Sequence, residues 1–124
     1  MEPSRIHELN KIVGVFCGKE LNETDVNSMP AWFYTNERGH LIPWHPCIKH
    51  AQAAEVKEKL REKGYGYALG WDQERKKYMA LIQAGETHKS PIVECGSDES
   101  ELITLLLVVE ALTKEEQHEQ KSTD

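Results

Sequence analysis

Near the start of the chain, Ile6, Leu9, Val13 and Phe16 recur at three- and four-residue spacing, with Ile12 beside them. One apolar stripe of this kind predicts a short amphipathic helix over about 4–16, capped by Ser4 and stopped by Gly18. The polar stretch KELNETDVNSMP reads as a connecting loop. In AWFYTNERGHLIPW the period changes to alternation rich in aromatics, which predicts two short strands, about 31–35 and 40–43. NERG between them has turn chemistry, with Asn36 first and Gly39 last. A second helix is expected over about 46–63. Pro46 suits its first position, Ala53, Val56 and Leu60 line one face, and Gly64 ends it.

YGYALGW alternates strictly, with Tyr65, Tyr67, Leu69 and Trp71 on one side. Trp71 is read as a core residue. After a DQER turn, KKYMALIQA returns with Met79 and Leu81 on one face and Tyr78, Ala80 and Ile82 on the other, so a hairpin is expected. Ile92 and Val93 mark a further strand, with Pro91 at its start. Asp98 and Glu101 then form an Asp-x-x-Glu capping box ahead of LITLLLVVEAL. Leu102, Leu105, Leu106, Val109 and Leu112 make its main stripe, and Ile103 and Leu107 widen it. A helix apolar on nearly every side must be covered by a sheet and another helix, or by a second subunit, and a homo-oligomer is expected on that ground. The resulting fold class is α+β: a small antiparallel sheet packed between helices, in the order α-β-β-α-β-β-(β)-α. Residues 1–113 form one domain, and 114–124 are expected to be a charged, disordered tail.

This layout resembles the phage α-β-α sandwich domain, a family of small proteins of bacteriophages and prophages. The residues that carry the likeness are the N-terminal amphipathic helix, PAWF, the Gly-containing turn and IPWHPCIKHAQAAEVKEKLREKG. The hairpin YGYALGWDQERKKYMALIQA and the terminal helix SDESELITLLLVVEAL follow in the family's order. The likeness covers most of residues 5–113. It departs at HPC, where family members often carry a Tyr-Ser/Thr pair. It implies the fold and a phage origin, with no catalytic residues to carry over.

Composition narrows the function classes. The chain has 124 residues, 39% hydrophobic and 29% charged, enough for one core. Its formal charge is −6, of which the final eleven residues carry −2. An acidic domain repels a phosphate backbone, so general nucleic-acid binding is not expected. No apolar run approaches the roughly 18 residues of a membrane span, and MEPSRIHELN does not read as a secretion signal. Cys17, Cys47 and Cys95 are odd in number and widely spaced, which suits reduced thiols in a host cytoplasm.

The densest chemistry is IPWHPCIKH, residues 42–50. His45, Cys47 and His50 are competent zinc ligands, and His40 or Cys95 are candidates for a fourth. No C-x-x-C pair accompanies them, and no metal or other cofactor is expected. Cys47 with His45 or His50 lacks an orienting group and an oxyanion hole, so an enzyme is not expected either. A binding reading makes fewer demands. A helix starting at Pro46 would offer the free amides of Cys47, Ile48 and Lys49 to an anion. Trp44 and His45 flank that terminus, Lys49 and Arg38 add positive charge, and Trp32 lies beside it. Trp32 and Trp44 read equally well as core aromatics or as pocket walls. The expected function is a phage-type small binding protein. It would act as a sponge that sequesters a cyclic nucleotide or cyclic ADP-ribose-type immune signal, with Trp32, Arg38, Trp44, His45, Cys47 and Lys49 as ligand-binding residues. The alternative is a protein-interaction module that binds a host or phage protein through the terminal helix or the aromatic hairpin.

Overall fold

The computed structural model describes residues 1–85 and 91–122 of the chain, with side chains as far as residue 116. The elements are α1 (Pro3–Phe16), β1 (Asn22–Val26), β2 (Met29–Thr35), β3 (Leu41–Pro43), α2 (His50–Glu62), β4 (Gly66–Asp72), β5 (Lys77–Gln83), β6 (Ile92–Asp98) and α3 (Glu101–Ser122). The fold is α+β. Two three-stranded antiparallel sheets, β1-β2-β3 and β4-β5-β6, accompany the three helices.

The expected helix at the N-terminus is α1, with Pro3 rather than Ser4 at its start: Glu2 is the N-cap and makes no side-chain cap bond. Gly18 ends it at φ +78°, and the Lys19 amide returns to the Gly14 carbonyl at 2.9 Å, a Schellman-type closure.

The loop expected at KELNETDVNSMP contains a strand. β1 pairs with β2 from Asn22↔Phe33 to Val26↔Met29, closed by a two-residue turn in which Asn27 and Ser28 both have positive φ. That is the geometry of a type I′ hairpin. Every β1 residue is exposed, so no alternation marks it in the sequence.

The β2–β3 turn forms as expected. The Asn36 side-chain oxygen accepts the amides of Arg38 and His40, and Gly39 takes φ +81°.

α2 begins later than the sequence suggests, at His50 with Lys49 as N-cap. Residues 46–48 form a turn in which the Ile48 and Lys49 amides both donate to the His45 carbonyl, at 3.0 and 2.9 Å. Gln52 locks this turn. Its side-chain oxygen accepts the His45 amide at 2.6 Å, and its Nε2 donates to the Pro43 carbonyl at 2.7 Å.

The expected hairpin of β4 and β5 forms, with Leu69 opposite Ala80 and Trp71 opposite Tyr78, and β6 adds a third strand. Of the two faces of β5, the one with Ala80 and Ile82 is turned into the core. Trp71 is not core: it is 48% exposed at the end of the sheet, edge-on to Tyr78 at 4.8 Å, with its indole N–H donated to Gln73.

α3 is capped by Ser100 in place of the expected Asp98. The Ser100 hydroxyl accepts the Ile103 amide at 3.3 Å, while Asp98 accepts the Ser100 amide. The helix continues to Ser122, well past Thr113, where a disordered tail was expected to begin; residues 123 and 124 lie outside the described residues.

One core joins these layers. α1 contributes Leu9, Val13 and Phe16, α2 contributes Ala53, Val56 and Leu60, and α3 contributes Leu102, Leu105, Leu106, Val108, Val109 and Leu112. α3 lies against β5 and β6 and is flanked by α1 and α2, so a single chain covers the helix whose apolarity suggested an oligomer. A bidentate ion pair from Arg5 to Glu110 ties α1 to α3 at the edge of this core.

Candidate functional site

The six residues expected to bind a ligand do not form one site. Trp44 is wholly buried and donates its indole N–H to the Asn10 carbonyl at 2.8 Å, with Tyr34 edge-on at 6.0 Å. It offers no ring face to solvent. Trp32 is 8% exposed and donates to the His7 carbonyl at 2.8 Å. The His7 imidazole stacks on it at 4.5 Å and 10°, and Lys11 stands 5.5 Å from its ring. Both tryptophans are therefore structural: they fasten β2 and the end of β3 to α1, helped by the Trp44 amide bonded to the Trp32 carbonyl.

His45 and Cys47 belong to the same junction. Cys47 meets the Asn10 side-chain amide at 3.4 Å. Burial holds His45 below the ordinary imidazole pKa, and the positive potential of Lys49 and His7 adds to this, so the ring stays neutral. The amide nest expected here is spent, since Ile48 and Lys49 donate to His45. An anion finds no row of free donors at Pro46, and Lys49 points from an exposed turn.

Among the described residues no imidazole hydrogen-bonds Cys47, and no three His, Cys, Asp or Glu side chains gather to hold a metal. Burial raises the Cys17 thiol to about 11, which makes it unreactive.

Arg38 lies elsewhere, and it leads to the candidate site. It lines a cleft of about 600 Å³ between the α1–β1 loop and the β2–β3 turn, together with Lys19, Glu20, Asn22, Tyr34 and Glu37. A volume of that size suits a small molecule. The Gly18 closure of α1 fixes where Lys19 emerges. Its ammonium then stands 4.2 Å from the Tyr34 ring centroid and 5.6 Å from that of Trp44, and 3.1 Å from Glu55 on α2. Two aromatic faces and one carboxylate thus hold this cation in place before any ligand arrives. Arg38 is exposed at the tip of its turn and lines the same opening. Glu20 and Glu37 set two acceptors beside the two cations, so the cleft presents both signs of charge.

Sequence reasoning missed Lys19 and Tyr34. Lys19 sits in a stretch read as a plain loop, and only the Gly18 stop hinted that its direction was fixed. Tyr34 belonged to a strand in which Trp32 drew the ligand-binding reading instead.

No family model, curated protein or solved structure matches this chain. The likeness to the phage domain rests on the quoted residues alone.

Proposed function

We propose that this protein binds a small nucleotide-like anion in the Lys19–Arg38 cleft and holds it without chemical change. The observation that carries this reading is the Lys19 ammonium, held over Tyr34 and Trp44 on the wall of a cleft that also contains Arg38. A phosphate would meet the two cations. Ribose hydroxyls and an exocyclic amino group would donate to Glu20, Glu37 and Asn22. A bare inorganic anion makes no use of those acceptors and is repelled by them, so the mixed lining favours a nucleotide over free phosphate. Sequestration of a cyclic nucleotide or cyclic ADP-ribose-type signal, as a phage anti-defence sponge in the host cytoplasm, is the biological form of this proposal.

The test is mass spectrometry of small molecules released when the purified protein is heat-denatured. A nucleotide recovered intact near one per chain supports the proposal. Recovery of a cleaved product contradicts a role without chemistry.

A second reading has its own observation. Trp71 is 48% exposed near the turn of the β4–β5 hairpin, and Met79, next in the chain to its cross-strand partner Tyr78, is 42% exposed. Exposed aromatic and Met side chains are common anchors of protein interfaces. The hairpin is therefore the place for an interaction module, whereas the apolar face of α3 is already covered. A Trp71→Ala variant that loses a protein partner while keeping nucleotide binding would separate the two readings.

A further inference from the structure

A second groove, of about 620 Å³, lies between the C-terminal half of α2 and the start of β4, lined by Lys57, Arg61, Tyr65, Gly66 and Tyr67. Its character differs from that of the Lys19–Arg38 cleft. Two cations and two tyrosines line it, with no carboxylate among them, in a chain whose formal charge is −6.

The cations are four residues apart on one helix, so they share a face at about 5–6 Å between their Cβ atoms. Like charges at that spacing repel, and nothing in the helix itself requires them there. Lys57 stands 5.7 Å from the Tyr67 ring centroid, and among the described residues no carboxylate pairs with it. Among the described residues Arg61 pairs with Glu58 alone, at 3.5 Å and exposed within the same helix. An exposed pair of that kind is weak and yields to a better anion.

Two acids of α3 stand behind the tyrosines of the groove. Glu116 of α3 accepts the Tyr65 hydroxyl at 3.1 Å. Glu101 lies near enough to Tyr67 to act on its hydroxyl, and burial is the larger influence that keeps that phenol protonated. The Tyr67 hydroxyl is buried without a partner among the described residues, an unmet polar group in the wall of the same groove.

We propose that this groove is a second anion site, independent of the Lys19–Arg38 cleft, and that it takes a diphosphate-type polyanion bridging Lys57 and Arg61. Two cations one helical turn apart match two linked phosphoryl groups better than one. A diphosphate carries more charge and more acceptor oxygens than a single phosphate, so it engages both cations more strongly. The charged residues lining this groove are all cations, so an anion needs no base or sugar to settle there, in contrast to the mixed lining of the first cleft.

The probe is inorganic pyrophosphate, titrated into the isotope-labelled full chain at low ionic strength and followed by amide chemical shifts, with orthophosphate as comparison. Saturable shifts are expected within residues 57–67, with pyrophosphate binding tighter than orthophosphate. Lys57→Glu and Arg61→Glu are each expected to weaken binding about tenfold or more, the size of one lost charge-assisted contact. Both side chains are exposed, so both variants should keep the native amide spectrum elsewhere. Arg38→Glu should leave pyrophosphate binding unchanged, which separates this site from the first. Scattered, non-saturating shifts would overturn the proposal. So would equal affinity for the two anions, or binding that survives the Lys57→Glu/Arg61→Glu double variant.

Discussion

The Trp44 indole nitrogen donates to the backbone carbonyl of Asn10 at 2.8 Å, and this bond joins the end of β3 to the middle of α1. The ring is completely buried, and the Lys19 ammonium lies over it. Trp44 is thus the floor beneath the cation of the candidate cleft, and it contributes to binding only through that support. Trp44→Ala should cost about 3–5 kcal/mol, as expected for emptying a large buried aromatic site. Urea denaturation measures this directly. A loss below about 1 kcal/mol would mean the ring is not the anchor described.

Gly14 gives a sharper check of the same junction. A Cβ there would stand 2.8 Å from Trp44 Nε1 and 2.5 Å from Leu21 Cδ1. The leucine tip can move, but the indole is buried and hydrogen-bonded. Alanine is favoured over glycine within a helix by about 1 kcal/mol, while overpacking costs about 1–3 kcal/mol. Gly14→Ala should therefore destabilise by up to roughly 2 kcal/mol. A gain in thermal midpoint would show that the contact relaxes freely.

The Arg5–Glu110 pair sets an acid limit on stability. The hydrogen bond from Arg5 holds the Glu110 carboxyl below its ordinary pKa, with the positive charges of Arg5 and Lys114 adding to the effect against the opposing influence of burial. Because the folded value is depressed, the unfolded chain takes up a proton first as pH falls. The pair's contribution is complete above the unfolded value, about 4.3, and is lost as pH drops through the folded value. Urea midpoints between pH 7 and pH 2.5 should decline less steeply in Glu110→Gln than in the native chain. Parallel profiles would contradict the assignment.

The core was legible in the sequence because apolar spacing records burial directly. Leu105 and Leu106 of α3, Ala80 and Ile82 of β5, and Val56 and Leu60 of α2 are all buried as their periodicity implies. Three features were not legible, each for a physical reason. β1 has no buried residue, so no pattern marks it. The start of α2 is decided by the Gln52 side chain, seven residues from the His45 amide that it captures, and Pro46 by itself fits either structure. Trp71 continues an inward-facing row, but it lies at the end of the sheet and stays half exposed. Of the expected site residues, Arg38 alone lines the cleft. Trp32, Trp44 and Cys47 meet α1 instead, through contacts that join residues far apart in the chain and leave no local mark, and the His45 amide bonds Gln52 of α2. Lys19 faces Tyr34 through the closure of α1 and the pairing of β2, a meeting that sequence spacing does not record.

The most direct measurement is calorimetry of the native chain against a panel of cyclic nucleotides and cyclic ADP-ribose isomers, repeated with Arg38→Glu. Arg38 is exposed on a turn whose geometry is set by Asn36, so reversing its charge should leave the fold intact. Binding of at least one panel member is expected near one per chain, with the ligand recovered unchanged. Arg38→Glu should weaken it about tenfold or more, as the loss of a charge-assisted contact implies. Absence of binding across the panel, or full affinity in the Arg38→Glu variant, would contradict the assignment of this cleft.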